Sequence, residues 1–425
     1  MSFEKIVEEA EKAEAEVAGL CSGLVKYNSA HPEGRTDGCV DYIKEYLDDH
    51  GIKNEIHAND PTKPNIVAKL GGTSKRRILW VGHLDVVPAG EPDAWTHSAY
   101  SGKITDDGRV WGRGTSDMKG ACAAAMVTAR ILSEHNSLEN SVEFWFTADE
   151  EIGGGEGARW LAQSGRFKGD VCVIGDGNGG GMELPSIDLG CKGGAGTRLI
   201  ARGKTAHGST PYLGDNAITK LRKVIPWVEK IGDYRLELPE ELDKPIEDSL
   251  VFYRKTQDLD TEEKKRGVER LFHYPTVACN IISGGVKSNV VPDYAEATFD
   301  IRLTPGSKPL KVKERIEELV KEANVQGVEA VVRAGETAGY HESPNSPFAH
   351  QLSDTIQKFT GKRPIIKILT GGTDAISIKN YAGIPCLGYG TSLVGMAHQP
   401  DEYVTVENLV LGVKVYAGFS LTYKG

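Results

Sequence analysis

The run RILWVGHLDVV, residues 77–87, is apolar over most of its length and then delivers a histidine and an aspartate. A short apolar run of this kind reads as a buried β-strand whose polar end emerges beyond the sheet. Two further runs share its shape, SVEFWFTADE (141–150) and DVCVIGD (170–176). Helical patterns lie around them, MKGACAAAMVTARILSEH (118–135) and EGARWLAQSG (156–165). Strands that alternate with helices predict an α/β layered domain around a central, mostly parallel sheet. Upstream, the chain predicts helices over 3–26 and DGCVDYIKEYLDDHG (37–51), then short strands at NEIHA (54–58) and NIVAKL (65–70).

From about residue 192 the pattern changes. GAGTRLIARGKTAH (194–207) alternates like a half-exposed strand, and DNAITKLRKVIPWVEKIG (215–232) reads as a helix. TVACNIISGG (276–285) and YAEATFDIRLTP (294–305) read as strands, followed by the helix KVKERIEELVKEANV (311–325) and the strand VEAVVRAG (328–335). That order predicts a small α+β domain with helices on one face of its sheet. The simplest arrangement is an insertion, 192–306, into a catalytic domain made of 1–191 and 307–425, with the second boundary falling between 306 and 340. A charged segment, 233–270, reads either as a solvated surface loop or as a wall of the substrate entrance. From about 340 the α/β pattern of the first 190 residues resumes and ends in the helical TVENLVLGVKVYAGFSLTY (405–423).

A chain of 425 residues exceeds one ordinary core, which fits two domains. Its 39% hydrophobic and 26% charged residues are those of a globular protein. A net charge of −10 argues against nucleic acid as a partner, because binding it needs a basic face. The seven cysteines are scattered and form no C-x-x-C pair, so they read as buried free thiols. The charged start MSFEKIVEEAEKAEAEV does not resemble a signal peptide, and no apolar run approaches the ~20 residues that span a bilayer. A cytoplasmic location is the expectation.

In open α/β sheets, working residues collect beyond the carboxyl ends of the strands. There the three runs deliver His83 and Asp85, the acids Asp149, Glu150 and Glu151, and Asp176, while Asp117 stands just before a helix. Singly, each has an ordinary reading: His83 as a hydrogen-bonded core histidine, Asp117 as a helix cap, Asp176 as a turn residue. Together, converging carboxylates repel unless cations sit among them. Mixed His, Asp and Glu donors suit Zn²⁺, Co²⁺ or Mn²⁺, and the lack of clustered cysteines argues against a structural thiolate site. The pattern is that of a metallohydrolase.

The motifs resemble those of the dinuclear-zinc amidohydrolases: acetylornithine deacetylase, succinyl-diaminopimelate desuccinylase, aminoacylase, glutamate carboxypeptidases and dipeptidases. The matching stretches, in order, are GHLDVVP (82–88), GRGTSDMKG (112–120), TADEEIGG (147–154), GDG (175–177), GKTAHGSTP (203–211), NVVPDYAEATFDIR (289–302), GGTDA (371–375) and GMAHQPDEYV (395–404). The resemblance implies that His83 and Asp176 hold one ion, Glu151 and His398 the other, and that Asp117 bridges them. It implies two Zn²⁺, with Co²⁺ or Mn²⁺ as substitutes, and Glu150 as the general base acting on a shared water. Asp85 would orient His83 through its second ring nitrogen. The inserted domain would serve as lid and dimer interface, with His207 reaching the partner's active site to stabilise the oxyanion. Arg302 would bind the substrate's carboxylate, or else form a structural salt bridge. Asn289 would hydrogen-bond nearby, or else serve a turn, and the backbone at Gly372 and Thr373 would face the substrate. His97, His135 and His341 match no motif and read as surface or structural residues.

The implied reaction is hydrolysis of an amide in an N-acyl amino acid, of the deacetylase or desuccinylase type. A dipeptidase or carboxypeptidase acting on small peptides is the alternative, and a non-catalytic metal-dependent binding protein a remote one. Two features depart from the family pattern, the glycine-rich loop after TADEEIGG and the long charged segment, and the second weakens transfer of any one enzyme's substrate to this chain.

Overall fold

Strand Arg77–His83 is buried from its second residue onward, because it lies between two parallel neighbours, Ser141–Thr147 and Val171–Ile174. A strand covered on both faces needs continuous apolar sequence, which is what ILWVG supplies. The computed structural model describes residues 2–135, 138–177, 179 and 181–425. Its largest sheet has nine strands and is mixed. Cys386–Gly388 adds a further parallel strand beside Val171–Ile174, and Ile365–Leu369 runs parallel to Ser186–Cys191. Antiparallel strands flank this parallel centre, Asn65–Leu70 and Asn54–His57 on one side and Tyr340–His341 near the other.

The helix Gly120–Ser133 is buried along almost its whole length, packed between the sheet and the helices Glu14–Val25 and Val406–Thr422. Its alanines let the neighbouring backbones approach. Lys119, fully buried at its start, donates to the carbonyls of Leu24 (3.2 Å) and Tyr27 (2.7 Å) at the end of helix Glu14–Val25. A cation at a helix C-terminus satisfies orphan carbonyls and opposes the dipole, so among the described residues this lysine is held by carbonyls rather than by an acid. The helix expected over 3–26 is two helices, Phe3–Lys12 and Glu14–Val25, separated by a turn at Ala13. No helix among the described residues is long and apolar enough to cross a membrane.

A second, four-stranded antiparallel sheet runs in the order Thr276–Gly284, Tyr294–Leu303, Gly193–Arg202, Val328–Thr337. Helices Ala217–Glu229 and Pro309–Glu322 cover one face and close a separate core around Leu199, Leu221, Phe299 and Ile316. Its last helix and strand therefore follow residue 306, and the strand ends within the 306–340 interval. At the outer edge Ile281, Ile282 and Val286 are exposed.

The charged segment corrects the surface-loop expectation. It forms helices Asp243–Thr256 and Glu262–Arg270, and Ile246, Leu250, Phe252 and Tyr253 are buried in the core of the large sheet. The first helix packs on strand Ile365–Leu369, where Ser249 Oγ accepts the Ile368 N–H at 2.8 Å. One apolar stripe on a highly charged helix is enough to dock it. The chain thus leaves the small sheet, covers the large one, and returns.

Candidate metal centre and substrate cavity

Parallel strands of the large sheet end side by side, and that alone brings His83, the acidic triplet and Asp176 to one rim. Asp117 arrives from the turn before helix Gly120–Ser133, and His398 from the loop before strand Tyr403–Thr405. Two groups of potential metal donors result, His83–Asp117–Asp176 and Asp117–Glu151–His398, each with donor atoms within 4.8 Å of one another. These are the five residues expected as ligands, and Asp117 belongs to both groups. His83 Nε2 lies 3.1 Å from Asp117 Oδ1, while His398 Nε2 lies 3.2 Å from both Asp117 Oδ2 and Glu151 Oε1.

The electrostatics fit cations. Burial, then the neighbouring acids, push the carboxyls of Glu150 and Asp176 well above the ordinary range, although His83 opposes this. Hydrogen bonds to Asp117 and Glu151 raise His398 to about 10. Burial disfavours charge on His83, yet its bond to Asp117 and the charge of Asp85 outweigh that and hold its pKa well above normal. Asp117 stays ionised because both histidines offset its burial. A site that keeps protons on its own donors for lack of positive charge is suited to divalent ions. His83 Nδ1 lies 3.0 Å from the Asp85 carbonyl, an acceptor only, so Nδ1 carries the hydrogen and Nε2 is the donor left for a metal.

Asp85 therefore meets His83 chiefly through its backbone; its carboxylate is 3.6 Å from Nδ1. That carboxylate instead accepts the N–H groups of Glu150 (3.0 Å) and Glu151 (3.1 Å) and pairs with His31 Nε2 at 2.9 Å. Asp85 and His31 thus hold the acidic turn in place. Asp149 has a left-handed backbone (φ 69°) and binds Lys63 at 2.8 Å, so its side chain and that of Glu151, which meets His398, face different partners. A second buried pair ties the remaining loops together. Arg113 donates to Glu402 at 2.6 Å and to the Gln399 carbonyl at 3.2 Å, while Glu402 accepts the N–H groups of Ser116 (2.8 Å) and Asp117 (3.1 Å).

A cavity of about 540 Å³ opens beside the donors, lined by Glu150, Glu151 and His398 on one side and by Arg302 and Gly194 of the small sheet on the other. Gly372 and Thr373 also line it. Arg302 is bound through Nε to Asp300 (2.8 and 3.1 Å), so the salt-bridge reading and a place in the cavity hold together. His207 and Asn289 are exposed and do not line this cavity; Asn289 is beside His207, its carbonyl accepting the Gly208 N–H at 2.8 Å.

Four residues near the site carry no signal that sequence reasoning picked up. Asp374 stands inside the GGTDA motif; its carboxylate accepts from Thr147 Oγ1 at 2.8 Å, and burial raises its pKa to about 7. Lys192 and Arg159 line the cavity. His31 lies 54 residues before its partner Asp85, with no local pattern to mark it.

The sequence profile described as peptidase family M20/M25/M40 matches residues 79–422. A probable succinyl-diaminopimelate desuccinylase of Staphylococcus aureus is 30% identical over 416 residues, covering 95% of this chain and 98% of that protein. Among solved structures, an M20 family metallo-carboxypeptidase of Sulfolobus solfataricus superposes with a TM-score of 0.76 at 24% identity, covering 95% and 98% of the two chains. A di-peptidase of Saccharomyces cerevisiae gives a TM-score of 0.77 at 16% identity, covering 99% and 98%.

Proposed function

The chain belongs to peptidase family M20/M25/M40 and is a metal-dependent hydrolase, and from that premise we propose that it cleaves the amide bond of an N-acyl amino acid of the deacetylase or desuccinylase type. The observation that carries this reading is the pair of donor groups sharing Asp117 at a cavity whose far wall holds Arg302. Two Zn²⁺ ions, with Co²⁺ or Mn²⁺ as substitutes, would be held by His83, Asp117 and Asp176 and by Asp117, Glu151 and His398. Bound there, they would lower the pKa of water and polarise the scissile carbonyl.

The chain's own residues do the rest. Glu150, in the cavity and next to a proposed ligand, takes the proton of the attacking water and returns it to the leaving nitrogen. Arg302 receives the substrate's carboxylate through the guanidinium nitrogens that Asp300 does not engage. His207, exposed on the second sheet, completes the site of a partner subunit in a homodimer, where it stabilises the oxyanion, with Asn289 beside it. The exposed apolar edge at Ile281, Ile282 and Val286 supports such an interface, for which we assign the unit built on the small sheet as lid. The peptidase reading keeps every one of these roles and changes only the acyl group; the carboxypeptidase and dipeptidase folds support it.

An amine-release assay over N-acetyl and N-succinyl amino acids and dipeptides tests the proposal. Turnover of N-acyl amino acids above dipeptides is expected. Turnover of dipeptides alone would move the function to the peptidase reading, and no turnover by the zinc-loaded protein would end both.

A further inference from the structure

Two strands of the large sheet carry a charge where their pattern calls for an apolar residue. SIDLGC (186–191) and IIKIL (365–369) run parallel, and Asp188 lies opposite Lys367. Both side chains are buried and form an ion pair. A strand inside a sheet covered on both faces is expected to be apolar throughout, and a buried ion pair gains little over apolar residues of the same volume. A local break in pattern of this kind is expected at a functional site.

The pair has a direction. Lys367 Nζ meets Asp188 Oδ1 and stands 4.9 Å from the ring centroid of Phe252, on the helix Asp243–Thr256. Asp188 Oδ2 is buried without a hydrogen-bond partner among the described residues. It is lodged against Gly177, where a Cβ would stand 2.3 Å from it. Gly177 has φ 121°, a backbone that L side chains rarely adopt, and directly follows Asp176. Gly388, paired with Asp188 on the next strand, also makes room: a Cβ there would lie 2.8 Å from that of Asp188. The Asp188 charge reaches the proposed ligand, since after burial, Asp117 and Glu151 it too pushes the Asp176 carboxyl up. The pair is neutral as a whole, so it sets the negative end of a dipole behind the metal donors without adding net charge.

We propose that Asp188, held by Lys367, is a positioning residue for Asp176: it props the 175–177 segment and favours a cation in the donor group His83–Asp117–Asp176. Glu151 and His398 stand on other loops, so the second donor group is indifferent to the pair. This rests on the two-metal reading and adds a residue to it.

The test measures zinc affinity, by competition with a chromophoric chelator, in wild type and in two backgrounds. His398→Ala leaves only the first donor group whole, and Asp176→Asn only the second. Asp188→Asn keeps the shape and removes the charge. It should weaken zinc by about 10–100-fold in the first background, the usual cost of losing a group that orients a ligand, and by less than about threefold in the second. Asp188→Asn combined with Lys367→Met leaves no buried charge unpaired and should show the same split. Losses in the second background as large as in the first would make the pair a general element of the fold, and no loss in the first would leave it without a role at the metal. Either result overturns the assignment, as does failure of both variants to fold. Wild type that binds no zinc would end the two-metal reading and this one with it; wild type that binds two ions, with the first background untouched by Asp188→Asn, would end only the role of Asp188.

Discussion

The two sheets contribute to the cavity in different ways. The large sheet gathers its groups through the geometry of parallel strand ends, and all five donors meet within one chain. The small sheet presents Arg302 to that cavity but turns His207 and Asn289 to solvent, beside an exposed apolar edge. One region is complete by itself; the other leaves two of its candidate residues, His207 and Asn289, in solvent. Burial explains the contrast: converging acids are tolerated inside only with compensating charge, while a lone exposed histidine costs the fold nothing.

The sharpest way to test the complete half is Glu150→Gln. It should keep both metals, since Glu150 is in neither donor group, and lower kcat by about 10²–10⁴-fold. Metal analysis beside the rate measurement decides it, and near-normal turnover would remove Glu150 from the base role.

The incomplete half is tested by His207→Ala, expected to cost about 10²-fold in kcat. Mixing the two inactive variants under conditions of subunit exchange should then restore roughly a quarter of wild-type activity, because half the dimers are mixed and one site in each is whole. No recovery on proven exchange would place His207 outside the partner's site.

Metal loading sharpens the comparison from the charge side. With His398 raised to about 10 in the metal-free protein, its proton must leave when a cation binds. Affinity should therefore rise with pH through the neutral range, by about tenfold per pH unit for each proton displaced. Calorimetry in buffers of different ionisation enthalpy counts those protons; a pH-independent affinity would contradict the donor set.

The smallest effect concerns the junction of the two sheets. Burial, and then Arg302, lower the pKa of Lys192 to about 7. A folded pKa below the unfolded one means the penalty of burying the charge is full below pH 7 and is relieved as pH rises toward the unfolded value near 10.4. Lys192→Met should thus raise Tm at pH 6, by roughly 2–4 °C, and the advantage should shrink as pH rises. Equal melting shifts at pH 6 and pH 9 would argue against a charged buried lysine.

Much of this arrangement was legible in the sequence, and the reason is local. Buried parallel strands must be apolar, so a polar residue at their ends stands out, as His83, Glu151 and Asp176 do. Groups whose meaning depends on closeness in space did not stand out. His31 finds Asp85 across 54 residues, and Lys192 and Arg159 reach the cavity with no motif to mark them. The 233–270 segment misled through composition: its charges hid the spacing of Ile246, Leu250 and Tyr253, which docks the helix on the large sheet.

The buried pair of Arg113 and Glu402 carries a consequence in time. Asp117 leaves the ribosome well before His398 and before Glu402, which grips its backbone. Until those later residues are made, Asp117 stands on a turn that lacks its Glu402 contact, and the second donor group cannot form. The second donor group therefore assembles after the first, and a chain stopped before residue 398 should bind at most one zinc ion in an equilibrium dialysis experiment.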